Sequence, residues 1–287
     1  MMAKFLIGLS LLIANLEGLS AQETLNPEGC GVSYYKTMIV NGTEVKETQY
    51  PWAVYVSSHY PIGVGNCTGT IITKRHVLTA AHCLLYNNTY AHKVVVSYGS
   101  VDRRRGKKVE ASKRLIHKDY SNPATGNDIA LLEVKYPFQF SKDVMAICIP
   151  MAPVKLANKD ALVAGWGSLY LGGHGVDFLR HTTVTFLPGQ LCSILFGLAF
   201  KSYSDTLQCC AQKRGKGACE GDSGGPVMLR TAADRFQQVA IVSYLIGVCG
   251  GDFSPQMYTR LNGFTDWLTR GVSSSAGYTP LGNPYML

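Results

Sequence analysis

Three short segments carry side chains whose types could work together. Leu78-Thr79-Ala80-Ala81-His82-Cys83 offers an imidazole. Asn127-Asp128-Ile129-Ala130-Leu131-Leu132 offers a carboxylate at the head of an apolar run, and Gly221-Asp222-Ser223-Gly224-Gly225-Pro226 a hydroxyl among glycines. Taken singly, a His beside a Cys packs and an Asp ahead of a strand caps. Together they supply a nucleophile, a base and an orienting acid. A serine hydroxyl is a poor nucleophile at neutral pH and needs an adjacent base. His82 can take its proton and return it to a leaving group, while a buried Asp128 fixes the imidazole tautomer and stabilises the imidazolium. The charge developing on a carbonyl oxygen needs preorganised donors, and the amides of Gly221 and Ser223 can provide them because Gly221 has no side chain in the way. The order His, Asp, Ser runs against the Ser, Asp, His order of lipases and esterases.

Such an array needs a rigid frame, and the chain has the material for one. It has 287 residues, 46% of them hydrophobic and only 16% charged, which excludes a disordered tail protein. The 30 Gly, 16 Tyr and nine Cys favour short strands, tight turns and disulfides over long helices. Lys4, the apolar stretch Phe5–Leu16 and the small residues Gly18, Ser20 and Ala21 read as a signal peptide over 1–21, too short to span a bilayer. The expected locations are therefore outside the cell or a secretory granule, with no membrane attachment. In that compartment most cysteines pair, and nine leaves one over. Sequons at Asn41, Asn66 and Asn87 fit the same compartment. The cysteine and histidine spacing matches no zinc site, and no metal or cofactor is expected.

The positioning elements read as strands. Pro51–Ser57 and Lys93–Tyr98 alternate, and Asp128–Val134 and Val239–Tyr244 are apolar runs bounded by turns. The expectation is an all-β barrel or sandwich. No long amphipathic helix is visible before Gly263–Arg270, and 272–287 reads as a flexible tail.

On these three motifs the chain resembles the chymotrypsin-like (trypsin-like) serine proteases, from about Ile39 to Arg270. The resemblance implies two antiparallel six-stranded β-barrels and a short C-terminal helix, with His82 and Asp128 from the first barrel and Ser223 from the second. It divides the chain into a propeptide, 22–38, and a protease domain, 39–271. Ile39-Val40-Asn41-Gly42 resembles the family's mature N-terminus, whose freed amino group pairs with the acid before the catalytic serine, here Asp222. The chain has Met38 rather than a basic residue before Ile39. A cut after Met38, or after Lys36 followed by dipeptide removal, would free it, and both routes stay open. Gly165-Trp166-Gly167 matches a second-barrel marker, and Ser243-Tyr244-Leu245 the strand that pairs with substrate. By resemblance the disulfides are Cys30–Cys148, Cys67–Cys83, Cys192–Cys210 and Cys219–Cys249, with Cys209 left over and able to exchange roles with Cys210.

The resemblance also assigns the primary pocket. Gly217 stands at its base beside Ala218, with no acid to select Lys or Arg, and Leu245 and Gln256 occupy wall positions that are glycine where the pocket is deep. The expectation is an elastase-like pocket for small aliphatic residues before the scissile bond. The net charge of +8 has a dense centre in Arg103, Arg104, Arg105, Lys107 and Lys108, read either as a solvated loop or as a site for heparin-like glycans. Nucleic acid is not expected, because no aromatics interleave the run. The whole reads as a secreted, monomeric serine endopeptidase made as a zymogen, acting on proteins or peptides after an activating protease has cut it. The alternative is a catalytically silent homologue serving as a secreted binding glycoprotein.

Overall fold

The computed structural model describes residues 22–35, 44–200, 203–252, 254–274 and 276–282. The expected signal peptide, Lys36, Met38, Ile39 and Asn41 lie outside these. Alternating apolar residues form strands β1 (Ala53–Tyr60), β2 (Gly63–Ile71) and β3 (His76–Thr79), then a two-residue-stranded hairpin β4 (Leu85–Tyr86) and β5 (Thr89–Tyr90). Strands β6 (Lys93–Tyr98), β7 (Lys107–Ile116) and β8 (Ala130–Val134) follow. The antiparallel order is β7-β6-β1-β2-β3-β8, and β8 pairs back onto β7 to close a six-stranded barrel. The second barrel uses β9 (Asp160–Gly165), β10 (Arg180–Phe186), β11 (Gln208–Gln212), β12 (Pro226–Arg230), β13 (Phe236–Leu245) and β14 (Gln256–Arg260). It closes in the order β10-β11-β14-β13-β12-β9. Closure leaves neither barrel with a free edge.

Each interior is filled by the inward-facing half of its strands. Val54, Val56, Ile71, Leu78, Val94 and Leu131 are buried in the first barrel, and Val163, Val184, Phe186, Val227, Val242 and Tyr258 in the second. Burying one such aliphatic side chain is worth about 2 kcal/mol. Aromatic residues join the barrels. Trp52 and Trp166 are both buried; the Trp52 indole donates to Met228 Sδ and the Trp166 indole donates to the Val101 carbonyl at 2.8 Å. Four disulfides pair Cys30 with Cys148, Cys67 with Cys83, Cys192 with Cys210 and Cys219 with Cys249, and Cys209 is a buried free thiol.

Among the described residues two α-helices lie outside the barrels: α1 (Gly189–Phe200) between β10 and β11, and α2 (Thr265–Ser273) near the C-terminus. Only α2 was legible. Its apolar residues lie on one side, whereas α1 (GQLCSILFGLAF) is apolar on nearly every side and shows no 3.6-residue alternation. No helix among the described residues is long and apolar enough to cross a membrane.

Of the segment 272–287 read as a flexible tail, the described residues 272–274 and 276–282 are ordered against the first barrel. Val272 and Ser273 complete α2, and Thr279–Pro280 forms β15, which pairs with Lys113 and Arg114 on β7. Between them Tyr278 packs against His76 and donates its hydroxyl to the Gly271 carbonyl at 3.1 Å. A Ser- and Gly-rich composition hid a segment anchored by one aromatic side chain. Tyr278→Ala should lower stability by about 2 kcal/mol and the thermal midpoint by about 4 °C, measured by calorimetry; an unchanged midpoint would show that β15 adds nothing to the barrel.

Candidate active site

Asp128 is the most enclosed charged group of the site. It follows Asn127, whose φ is +56°, and immediately precedes the apolar run that becomes β8, so that burial of Ile129 to Leu132 carries it inside. His82 lies in the single 3-10 turn Ala81–Cys83 that follows β3, held to β2 by the Cys67–Cys83 disulfide. The His82 backbone N–H donates to Asp128 Oδ1 at 3.0 Å, and His82 Nδ1 lies 2.8 Å from Oδ2. Ser243 of β13 donates its hydroxyl to the same Oδ2 at 2.5 Å. Burial alone would push the Asp128 carboxyl up; the imidazole charge and these donors outweigh it and hold the carboxyl below its ordinary value. Burial likewise opposes the His82 cation, but the Asp128 charge and hydrogen bond prevail and raise the imidazole. With Nδ1–H spent on Asp128, the neutral tautomer leaves Nε2 as an acceptor.

Ser223 lines the same cleft as His82. It precedes β12, in the second barrel, and its carbonyl accepts from the Thr68 N–H at 2.9 Å. Two residues earlier, Gly221 sits at φ +93°, a conformation that favours glycine. Its carbonyl accepts from the Thr68 hydroxyl at 3.0 Å. Thr68 thus grips both residues whose amides were read as oxyanion donors. Nothing in the motif pattern pointed to it, because the contact joins β2 to a loop of the other barrel.

Asp222 turns away from the cleft. It is partly buried and accepts from the Gly167 N–H at 2.7 Å and the Cys219 N–H at 2.9 Å. The Gly-Trp-Gly marker makes room for it: a Cβ at Gly167 would come within 2.5 Å of the carboxylate carbon. Burial raises Asp222 to about 6, against the pull of the two amides. A cavity of about 170 Å³ lies beside it, lined in part by Gly165, Arg180 and Gly250. Its expected partner, Ile39, is outside the described residues.

A pocket of about 320 Å³ opens beside Ser223, lined by Ala218, Ser243, Tyr244, Leu245 and Gln256 among others. Gly217 does not form its base, as the sequence suggested. The Gln256 amide covers that glycine, with Nε2 only 2.5 Å from where a Cβ would stand. Gln256 donates from Nε2 to the Ala218 carbonyl at 2.6 Å, while its Oε1 accepts from the Ala218 N–H at 2.8 Å and the Tyr258 hydroxyl at 2.6 Å. The floor is therefore a pinned, neutral side chain. Leu245 pairs with Gln256 across β13 and β14.

The basic run is not a uniform patch. Arg103 ion-pairs with Asp177 at 3.0 Å and donates to the Tyr55 hydroxyl at 2.7 Å. Arg104 pairs with Asp102 at 2.9 Å and Asp177 at 2.8 Å. Asp102, buried beneath Arg104, and Asp177, from between β9 and β10, offset the charges of Arg103 and Arg104. Arg105, Lys107 and Lys108 remain on the exposed face. Of the sequons, Asn66 is exposed on β2 in the wall of the Ser223 cleft, and Asn87 is exposed in the β4–β5 turn.

Comparison with known proteins extends beyond the motifs. The family described as Trypsin matches residues 39–268. A venom serine protease of Bombus ignitus, Bi-VSP, is 34% identical over 85% of this chain and 71% of its own length. Chymotrypsin-2 of Vespa crabro is 32% identical over 81% of this chain and 99% of its own. The solved structure described as that of GrC superposes with a TM-score of 0.69 at 27% identity, covering 82% of this chain and all of the other. Because the likeness runs through both barrels and not over one motif, the chain belongs to the trypsin family of chymotrypsin-like serine proteases and is a serine endopeptidase.

Proposed function

We propose that the protein is a secreted endopeptidase, made as a zymogen, that uses His82, Asp128 and Ser223 to cleave after small aliphatic residues. The observation that carries the catalytic part is the buried Asp128, hydrogen-bonded to the His82 turn from one barrel and to Ser243 from the other, beside Ser223. In this reading Ser223 Oγ attacks the substrate carbonyl carbon and its proton passes to His82 Nε2. The oxyanion is held by the N–H groups of Gly221 and Ser223. The imidazolium returns the proton to the departing amine, and water repeats the cycle to free the acyl-enzyme. A fluorophosphonate should label Ser223 in the matured protein, and Asp128→Asn should lower kcat about 10⁴-fold. The acid limb of kcat/KM should lie above the ordinary histidine value of 6.5, because His82 must be neutral and its folded value is raised. Absence of label after proteolytic maturation would leave the fold without the chemistry.

Gln256 supports the choice of substrate. A pocket floored by a neutral amide offers no counter-charge for Lys or Arg, and Leu245 adds bulk beside that floor. Gln256→Gly should remove the floor, uncover Gly217 and shift cleavage towards large aromatic residues by roughly ten- to a hundredfold in relative kcat/KM. A peptide library cut best after Lys or Arg would refute the assignment.

Asp222 supports the zymogen. A partly buried carboxyl that desolvation raises to about 6, with only backbone amides as its hydrogen-bond donors, is one that a freed Ile39 amino group would complete. Cys30–Cys148 would keep residues 22–35 attached after the cut at Met38 or Lys36. In the uncleaved chain the folded state holds the Asp222 proton more tightly than the unfolded state. Its contribution to stability is thus full below about pH 4 and lost as the pH rises through about 6. The loss amounts to roughly 3 kcal/mol. Denaturant titrations of the uncleaved protein and its Asp222→Asn variant should diverge by that amount across this window; parallel curves would show that Asp222 already has a partner.

A further inference from the structure

Two cavities meet at Ser223. One is the Gln256-floored pocket, and the other a cleft of about 400 Å³ shared by Ser223, His82, Val64, Asn66 and Tyr86. If the residue before the scissile bond enters the first, the residues after it, on the leaving-group side, must cross the second. We propose that Asn66 is an N-glycosylation site whose glycan stands in this second cleft and restricts which substrates can place residues there. The inference rests on the secreted-protease reading.

Four observations carry it. Asn66 is exposed, whereas Cys67 and Thr68, the other residues of its sequon, are buried. Its Oδ1 accepts from the Ser57 hydroxyl at 3.3 Å, which fixes the amide while Nδ2 makes no hydrogen bond among the described residues. Nδ2 is the atom that forms the bond to the anomeric carbon of an N-linked sugar. As it does so, the carbon–oxygen bond to the diphosphate of a lipid-linked oligosaccharide donor breaks and an amide proton is lost. A second sequon adjoins the cleft in the chain, since Asn87, at an exposed turn with φ +46°, follows the cleft-lining Tyr86. Finally, the sequon hydroxyl of Thr68 is committed in the fold to the Gly221 carbonyl. Sugar must therefore be added before β2 packs against the Gly221 loop, so occupancy is decided during synthesis.

A branched glycan rooted in the wall of a cleft excludes bulk by volume. It leaves the Gln256 pocket open. Flexible peptides thread past it, while folded proteins and inhibitors that fill the leaving-group side do not. The test uses the full-length protein secreted with high-mannose glycans, and the same preparation trimmed by endoglycosidase to a single N-acetylglucosamine. Peptide mapping by mass spectrometry reads occupancy at Asn66 and Asn87. Both forms are assayed on two substrates with one acyl portion, a fluorogenic amide that ends at the scissile bond and a peptide extended beyond it.

Asn66 should be occupied. Trimming should raise kcat/KM several-fold on the extended peptide and leave the amide substrate unchanged. Asn66→Gln should reproduce the gain, and Asn87→Gln should give a smaller one. An unoccupied Asn66 would overturn the proposal, as would a gain equal on both substrates or absent from both. Turnover of neither substrate by either form would overturn the protease reading and the gate together, a result distinguishable from the others because the occupancy map does not depend on activity.

Discussion

An ionised carboxylate inside a protein must be fully supplied with donors, and Asp128 is the place where this structure meets that demand. Removing a carboxylate from water costs several kcal/mol, recovered only through good geometry and satisfied lone pairs. The donors to its side chain come from the His82 turn of the first barrel and from Ser243 of the second. Its own carbonyl accepts from the Thr259 hydroxyl of β14 at 2.8 Å. Separating the barrels would strand this charge. The docking of the barrels and the orientation of the imidazole are thus one condition, and the apolar cores, the joining tryptophans and the Cys67–Cys83 bridge all serve to maintain it.

Asp222 shows the opposite state of the same problem. It is less enclosed than Asp128, and its donors are two backbone amides rather than a charged side chain. Its affinity for a proton rises where that of Asp128 falls. Two enclosed acids in one molecule are thus solvated differently: Asp128 by an imidazole and a hydroxyl, Asp222 by backbone amides, and in the proposed zymogen the second awaits the Ile39 amino group. The glycines at 165 and 167 keep space for Asp222, which explains why the marker flanking Trp166 must be glycine on both sides.

Much of this was legible in sequence because the chemistry requires particular residue types in rigid local surroundings. His82, Asp128 and Ser223 each sit in a short motif, the alternation of Lys93–Tyr98 marks β6, and the apolar run Val239–Tyr244 marks the middle of β13, Phe236–Leu245. What escaped depends on contacts between residues distant in the chain. Gln256 reaches across to cover Gly217, so the base of the pocket comes from the neighbouring strand and not from the position that marks it. Helix α1 has no polar face and hence no periodic signal. Tyr278 anchors a segment whose composition reads as loose. Arg103 and Arg104 form a basic run only on paper, since Asp102 and Asp177 fold against them.

Thr68 joins several of these threads. Its amide holds the Ser223 carbonyl, its hydroxyl holds the Gly221 carbonyl, and the Trp166 N–H lies 3.4 Å from that hydroxyl. One buried residue thus links β2, the Gly-Trp-Gly turn and the Gly221–Ser223 loop. Valine would match its shape but leave the Gly221 carbonyl without this donor, and an unmet buried acceptor costs about 1–3 kcal/mol at the point where the geometry matters most. The same hydroxyl is the third element of the Asn66 sequon. It is free to serve glycosylation only while the chain is unfolded and free to brace the Gly221 loop only once folded. In the proposed glycosylation of Asn66 the two uses are separated in time, so that one small side chain would serve the sequon first and the Gly221 loop afterwards.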